Sequence, residues 1–119
     1  TFFLGSCKYA PARKMVEAGV PVALATDFNP GSCMTQSMPL VLTIACLYLR
    51  LSIEEVFVAT TINSACAIGM EKEVGSLMVG KKADFVLWNA SHYSYLPYHF
   101  GDNLVRIVVK AGKVVVDNG

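Results

Sequence analysis

Residues 20–25 read VPVALA, six apolar positions in unbroken succession, and no other feature limits the fold so strongly. A half-exposed strand or a surface helix would interleave polar residues at period 2 or 3.6, whereas a short unbroken run fits a parallel strand covered on both faces. The flanks agree. Before the run, residues 11–18 read as a short helix that opens on Pro11 and stops at Gly19, with Pro21 beyond it. After it, a loop over residues 26–36 leads to a helix capped near Ser37, in which Leu40, Ile44, Leu47 and Leu51 recur at helical spacing. Ser52 and Glu55 form a capping box that starts a further helix. Val56, Ala59, Ile62, Cys66 and Ile68 line its apolar side, and Gly69 is its natural terminator. To this point the pattern is α/β.

Beyond Glu73 the texture changes to short β segments punctuated by glycine. They are GSLMVG at 75–80, then 83–88, then 105–110 and 113–116, the last two joined through Ala111 and Gly112 as a hairpin. Residues 91–103, SHYSYLPYHFGDN, make an aromatic loop with neither period. The division falls near residues 70–75, giving a first unit over 1–72 and a second over 73–119. Neither is expected to be complete, since one or two parallel strands do not close a sheet and three or four β segments leave open edges.

Composition points the same way. Charged residues are 16% of the chain and mean hydropathy is +0.47, against about 25% charged in ordinary soluble domains. So small a domain needs more polar surface than this, so the chain is expected to be a piece of a larger protein. The apolar stretch at 38–49 is too short to span a bilayer and is closed by Arg50. No charged-then-apolar leader stands at the N-terminus, and no membrane partner is expected. A net charge of +1 with scattered lysines offers no basic stripe for nucleic acid. Cys7, Cys33, Cys46 and Cys66 show no metal or redox spacing and are expected to be buried free thiols in a reducing compartment.

The run at 20–25 ends in ATDFNPGS, and Asp27 is the one acid between Glu17 and Glu54. In parallel α/β folds, side chains that do chemistry stand at the carboxyl ends of strands. A carboxylate there can ligate a metal ion or act as a general base. The local alternative is an Asx-turn, in which Asp27 or Asn29 caps a Pro-Gly turn. Asn29, Gly31 and Ser32 could set an amide side chain, exposed backbone N–H groups and a hydroxyl around an anionic ligand. His92 and His99 are expected to be packed or surface residues. No HxH, HExxH or Ser-His-Asp arrangement occurs, so these 119 residues do not assemble the usual nitrogen ligands of a metal centre.

Three stretches together, VALATDFNPGS, TINSACAIGM and GSLMVGKKADFVLWN, resemble the C-terminal third of amidohydrolase-superfamily enzymes. TDFNPGS, the SMPLVLTIAC helix and YLPYHFG more narrowly resemble the imidazolonepropionase family. The resemblance implies an α/β fold: the C-terminal part of a (β/α)8 barrel over 1–72, with residues 20–25 as its eighth strand, followed by part of a small β-sandwich over 73–119. It implies cytoplasmic hydrolysis of 4-imidazolone-5-propanoate to N-formimidoyl-L-glutamate in histidine degradation, using zinc or iron. Asp27 matches the family's metal aspartate and proton carrier. Asn29, Gly31 and Ser32 match its substrate contacts, and a homodimer is the candidate assembly. The metal histidines match nothing here, so the chain alone is expected to be inactive. Three rivals stand beside this reading: another amidohydrolase such as a nucleobase deaminase, a metal-free scaffold relative, and a self-standing binding module, against which the apolar balance counts.

Overall fold

The computed structural model describes residues 1–119. Helices α1 (Ala12–Glu17), α2 (Met38–Tyr48), α3 (Ile53–Thr60) and α4 (Ile62–Ala67) come first. Strand β1 (Phe85–Trp88), helix α5 (Tyr95–Tyr98) and strands β2 (Val105–Lys110) and β3 (Lys113–Asp117) follow. The expected caps form: Ser37 Oγ accepts from Leu40 N, and Ser52 and Glu55 exchange both bonds of the capping box. Ala12, Leu42, Ala45, Leu51 and Val56 make the core between α1, α2 and α3, with Val16, Val22, Leu24 and Phe57 packed on it. Arg13 adds a two-pronged ion pair, donating from Nη1 and Nη2 to Glu55 Oε2 and Oε1 at 2.8 and 2.7 Å.

The second half forms an antiparallel sheet in the order β1-β2-β3. The expected hairpin is present. Ala111 and Gly112 both adopt positive φ, 49° and 75°, as a two-residue turn of mirror type requires. The Asp84 carboxylate braces that turn, accepting from Ala111 N at 2.7 Å and pairing with the Lys110 ammonium.

Four expectations are corrected. Residues 20–25 form no β ladder, because no strand of this chain lies beside them; Val22 and Leu24 turn inward while Ala23 and Ala25 are exposed. The helix expected from Ser52 to Gly69 breaks at Thr61 (φ −117°, ψ −94°). At the break the Thr60 and Thr61 hydroxyls turn back to the Val56 and Phe57 carbonyls at 2.9 and 2.6 Å, bonds of a kind that bend helices. GSLMVG is an irregular loop rather than a strand, with a bend at Gly75 and a turn at Gly80, both at positive φ, and Lys82 N donating to Glu73 O at 2.8 Å closes it. The cysteines are free, but none is buried: Cys7 and Cys66 are exposed, and Cys33 and Cys46 are half-buried.

Ten residues in all are buried. Leu47, Ile68, Leu77, Tyr98 and Val79 all lie more than two-thirds exposed, apolar surface that this chain does not cover itself. The aromatic loop carries the one-turn helix α5, docked on α2 by Thr43 Oγ1 donating to Pro97 O at 2.6 Å.

Candidate functional site

The loop after residues 20–25 folds around one side chain. Asn29 Oδ1 accepts from Gly31 N at 2.9 Å, Ser32 N at 2.8 Å and Ser32 Oγ at 3.2 Å, while Asn29 Nδ2 donates to Asp27 O at 2.7 Å. Asn29 and Cys33 also exchange both backbone bonds, at 2.9 and 3.2 Å. The Asx-turn alternative therefore holds for Asn29. Asp27 takes no part in it through its side chain. Its backbone sits at φ 50°, a left-handed conformation that aspartate tolerates better than most residues, and its side chain is exposed.

Asp27, Ser32 and Cys33 face a cleft of about 430 Å³ walled by Phe3, Tyr9 and Met34 among others. Partial removal from water, with Tyr48 next to it, pushes the Tyr9 phenol up; the two rings stack at 4.9 Å. Asn29 and Gly31 do not line the cleft. The expectation of open backbone N–H groups is thus corrected at Gly31 and Ser32, since both point at Asn29 Oδ1 and leave the turn satisfied internally. Of the four site residues singled out in the sequence, the loop brings all together, and two reach the cleft.

A metal ion needs more than this cluster. No group of three or more His, Cys, Asp or Glu side chains comes together anywhere in the chain. His92 Nδ1 lies 2.7 Å from Ser94 Oγ, and His99 stacks on Tyr95 at 4.0 Å with Asp102 Oδ2 at 3.4 Å from its Nδ1. Asp27 is therefore a single carboxylate oxygen donor, which could hold a metal ion only together with further ligands.

Two residues of the TINSACAIGM stretch contribute in a way that the sequence does not assign. Asn63 Nδ2 donates to Val22 O at 2.9 Å, and Ser64 Oγ lies 2.9 Å from Leu24 O and 2.7 Å from Ala59 O. Together with Leu24 N donating to Ala59 O at 3.1 Å, they fasten the segment that carries Asp27 to the break between α3 and α4. Their signal was present: polar Asn and Ser at 63 and 64 interrupt an otherwise apolar helix face.

Similarity to known proteins is chain-long. The model of the amidohydrolase family matches residues 6–115. Curated imidazolonepropionases from Alkaliphilus oremlandii and Bacillus velezensis are 55% and 52% identical over 100% and 98% of the chain. The chain spans 28% of the length of each. Among solved structures, an adenosine deaminase from Xanthomonas campestris with bound zinc superposes with TM-score 0.80 at 26% identity, over 92% of this chain and 28% of that one. Guanine deaminase from E. coli does so with TM-score 0.78 at 22% identity, over 99% of this chain and 32% of that one, a likeness of fold.

Proposed function

The chain belongs to the amidohydrolase family, and from that premise we propose that the protein carrying it hydrolyses the cyclic amide 4-imidazolone-5-propanoate to N-formimidoyl-L-glutamate, a cytoplasmic step of histidine degradation. The observation that carries this reading is the identity to curated imidazolonepropionases along the whole chain. The structural likeness to deaminases comes at much lower identity and supports only the shared α/β barrel-type fold. Within that fold, residues 1–72 are read as the last strand and helices of the barrel. Residues 73–119 are read as strands of a small β-sandwich, and a homodimer is the candidate assembly.

Asp27 is the proposed catalytic residue and one proposed metal ligand. Zinc or iron, when bound, supplies Lewis acidity toward the amide carbonyl and lowers the pKa of water. The remaining ligands are looked for in the length of the relatives that this chain does not span. Asp27 itself accepts the proton that the attacking water loses as the new C–O bond forms, and returns it to the ring nitrogen as the C–N bond breaks. A carboxylate at the end of a braced segment can do both without travelling far. Asn29, Gly31 and Ser32 are the proposed substrate-binding residues. Ser32 reaches the cleft, while Asn29 and Gly31 act by shaping the turn that presents it.

The test is a substrate comparison on the full-length enzyme containing these residues. Hydrolysis of 4-imidazolone-5-propanoate without ammonia release from guanine or adenosine supports the reading. The opposite preference overturns it in favour of a deaminase, and inactivity of the metal-loaded enzyme on all three supports a scaffold.

A further inference from the structure

We infer that Asn63 and Ser64 are positioning residues for Asp27, holding by their side chains the main chain of the segment at whose end Asp27 stands. The inference rests on the catalytic reading of Asp27 above. Residues 20–25 have no ladder partner in this chain, yet Val22 O accepts from Asn63 Nδ2, Leu24 N donates to Ala59 O, and Leu24 O shares the single Ser64 hydroxyl proton with Ala59 O, all on one side. Those three groups belong to residues two apart, so in extended chain they share one edge. The opposite side of that contact is the α3–α4 break: Ala59 O, Ser64 Oγ and Asn63 Nδ2.

The break and the clamp are one device. Asn63 and Ser64 lie in the first turn of α4, directly after the break at Thr61, and reach the segment from there. Asn and Ser are poor choices for a helix of six residues, because they compete with its backbone for hydrogen bonds. Here they spend that capacity on a neighbouring chain segment. Support comes from behind as well. A Cβ on Gly75 would stand 2.6 Å from Ala65 Cβ and 3.1 Å from Ile62 Cα, so the chain after α4 presses directly on its backbone. The clamp is thus held between the Asp27 segment and the start of the second half.

The reach of this hold to Asp27 is short. Only Ala25 and Thr26 separate Leu24 from Asp27. A slip of one residue would move the carboxylate by about 3.3 Å and turn it to the other face. Displacement of a catalytic group by 1 Å can lower turnover by about 10²-fold.

The experiment uses the full-length metal-loaded enzyme and the variants Asn63→Ala, Ser64→Ala and Ser64→Thr, with two readouts. Amide hydrogen exchange is followed at residues 22–28, with 85–110 as the internal reference. Steady-state kinetics on 4-imidazolone-5-propanoate are measured alongside. For both alanine variants, exchange at 22–28 is expected to rise roughly fivefold while the reference is unchanged. Their kcat is expected to fall at least about tenfold with KM within about twofold. Ser64→Thr keeps the hydroxyl and stays within about twofold of wild type on both readouts. Unchanged exchange at 22–28, a uniform rise across the chain, or faster exchange with kcat intact each overturns the positioning role. A wild-type enzyme that does not hydrolyse the imidazolone refutes the functional reading and with it the role toward Asp27, while exchange separately decides whether the segment is held as described.

Discussion

The side-chain amide of Asn29 donates to the main-chain carbonyl of Asp27 across 2.7 Å, while its oxygen gathers Gly31 N, Ser32 N and Ser32 Oγ. One residue therefore ties the backbone of the proposed catalytic carboxylate to the turn behind it. Asn29→Ala removes all four bonds and is expected to destabilise the full-length enzyme by about 1–2 kcal/mol, because exposed N–H groups recover some bonding from water. Asn29→Asp keeps an acceptor for the turn but no donor for Asp27 O, and should fall between. Denaturant unfolding of the three proteins checks the order.

Gly75 and Gly80 make a matched pair. Both have positive φ, 89° and 91°, but a Cβ on Gly75 meets Ala65 Cβ at 2.6 Å while one on Gly80 meets nothing within 4 Å. Gly80→Ala should cost only the conformational strain, on the order of 1–3 kcal/mol. Gly75→Ala should add an overpacking penalty of about 1–3 kcal/mol. Equal losses of stability in the two variants would remove the close approach from the argument.

Acid should loosen the joint between α1 and α3. Arg13 first, and then Ser52 N, hold the Glu55 carboxyl below the usual carboxylate range. A depressed carboxyl contributes stability that is fully present above its unfolded pKa and is lost as pH falls through the folded value. Glu55→Gln retains the capping box but not the ion pair. Its Tm deficit relative to wild type is therefore expected at neutral pH and should shrink as pH drops below the ordinary carboxylate range. A deficit constant with pH would show that the ion pair does not set this dependence.

What could be read from residue order was local and periodic. The caps at Ser37 and Ser52 and the hairpin turn at Ala111 and Gly112 depend on neighbours a few positions away, and all form. The unbroken apolar run at 20–25 announced burial on two faces, but a ladder requires partner strands, which periodicity within one segment does not reveal. The break at Thr61 is not legible because Ile62 and Cys66 continue the helical spacing across it. At the site, Asp27 stood out as a lone acid after an apolar run. At Asn29 residue order leaves a turn and a ligand contact both open, because it shows an amide without its partners; the turn forms, with Asp27 O and Gly31 N as partners. Asn63 and Ser64 belong to the TINSACAIGM stretch, but their contacts are not legible there because the targets, Val22 O and Leu24 O, lie about forty residues back along the chain and are main-chain atoms.

The role of Asp27 is tested most directly by Asp27→Asn in the full-length enzyme. Asparagine tolerates the φ of 50° at this position and keeps nearly the same shape, so the fold should stay intact by circular dichroism. Turnover of 4-imidazolone-5-propanoate is predicted to fall by roughly 10²–10⁴-fold, since an amide cannot carry the proton. A folded Asp27→Asn enzyme with wild-type kcat would contradict the assignment.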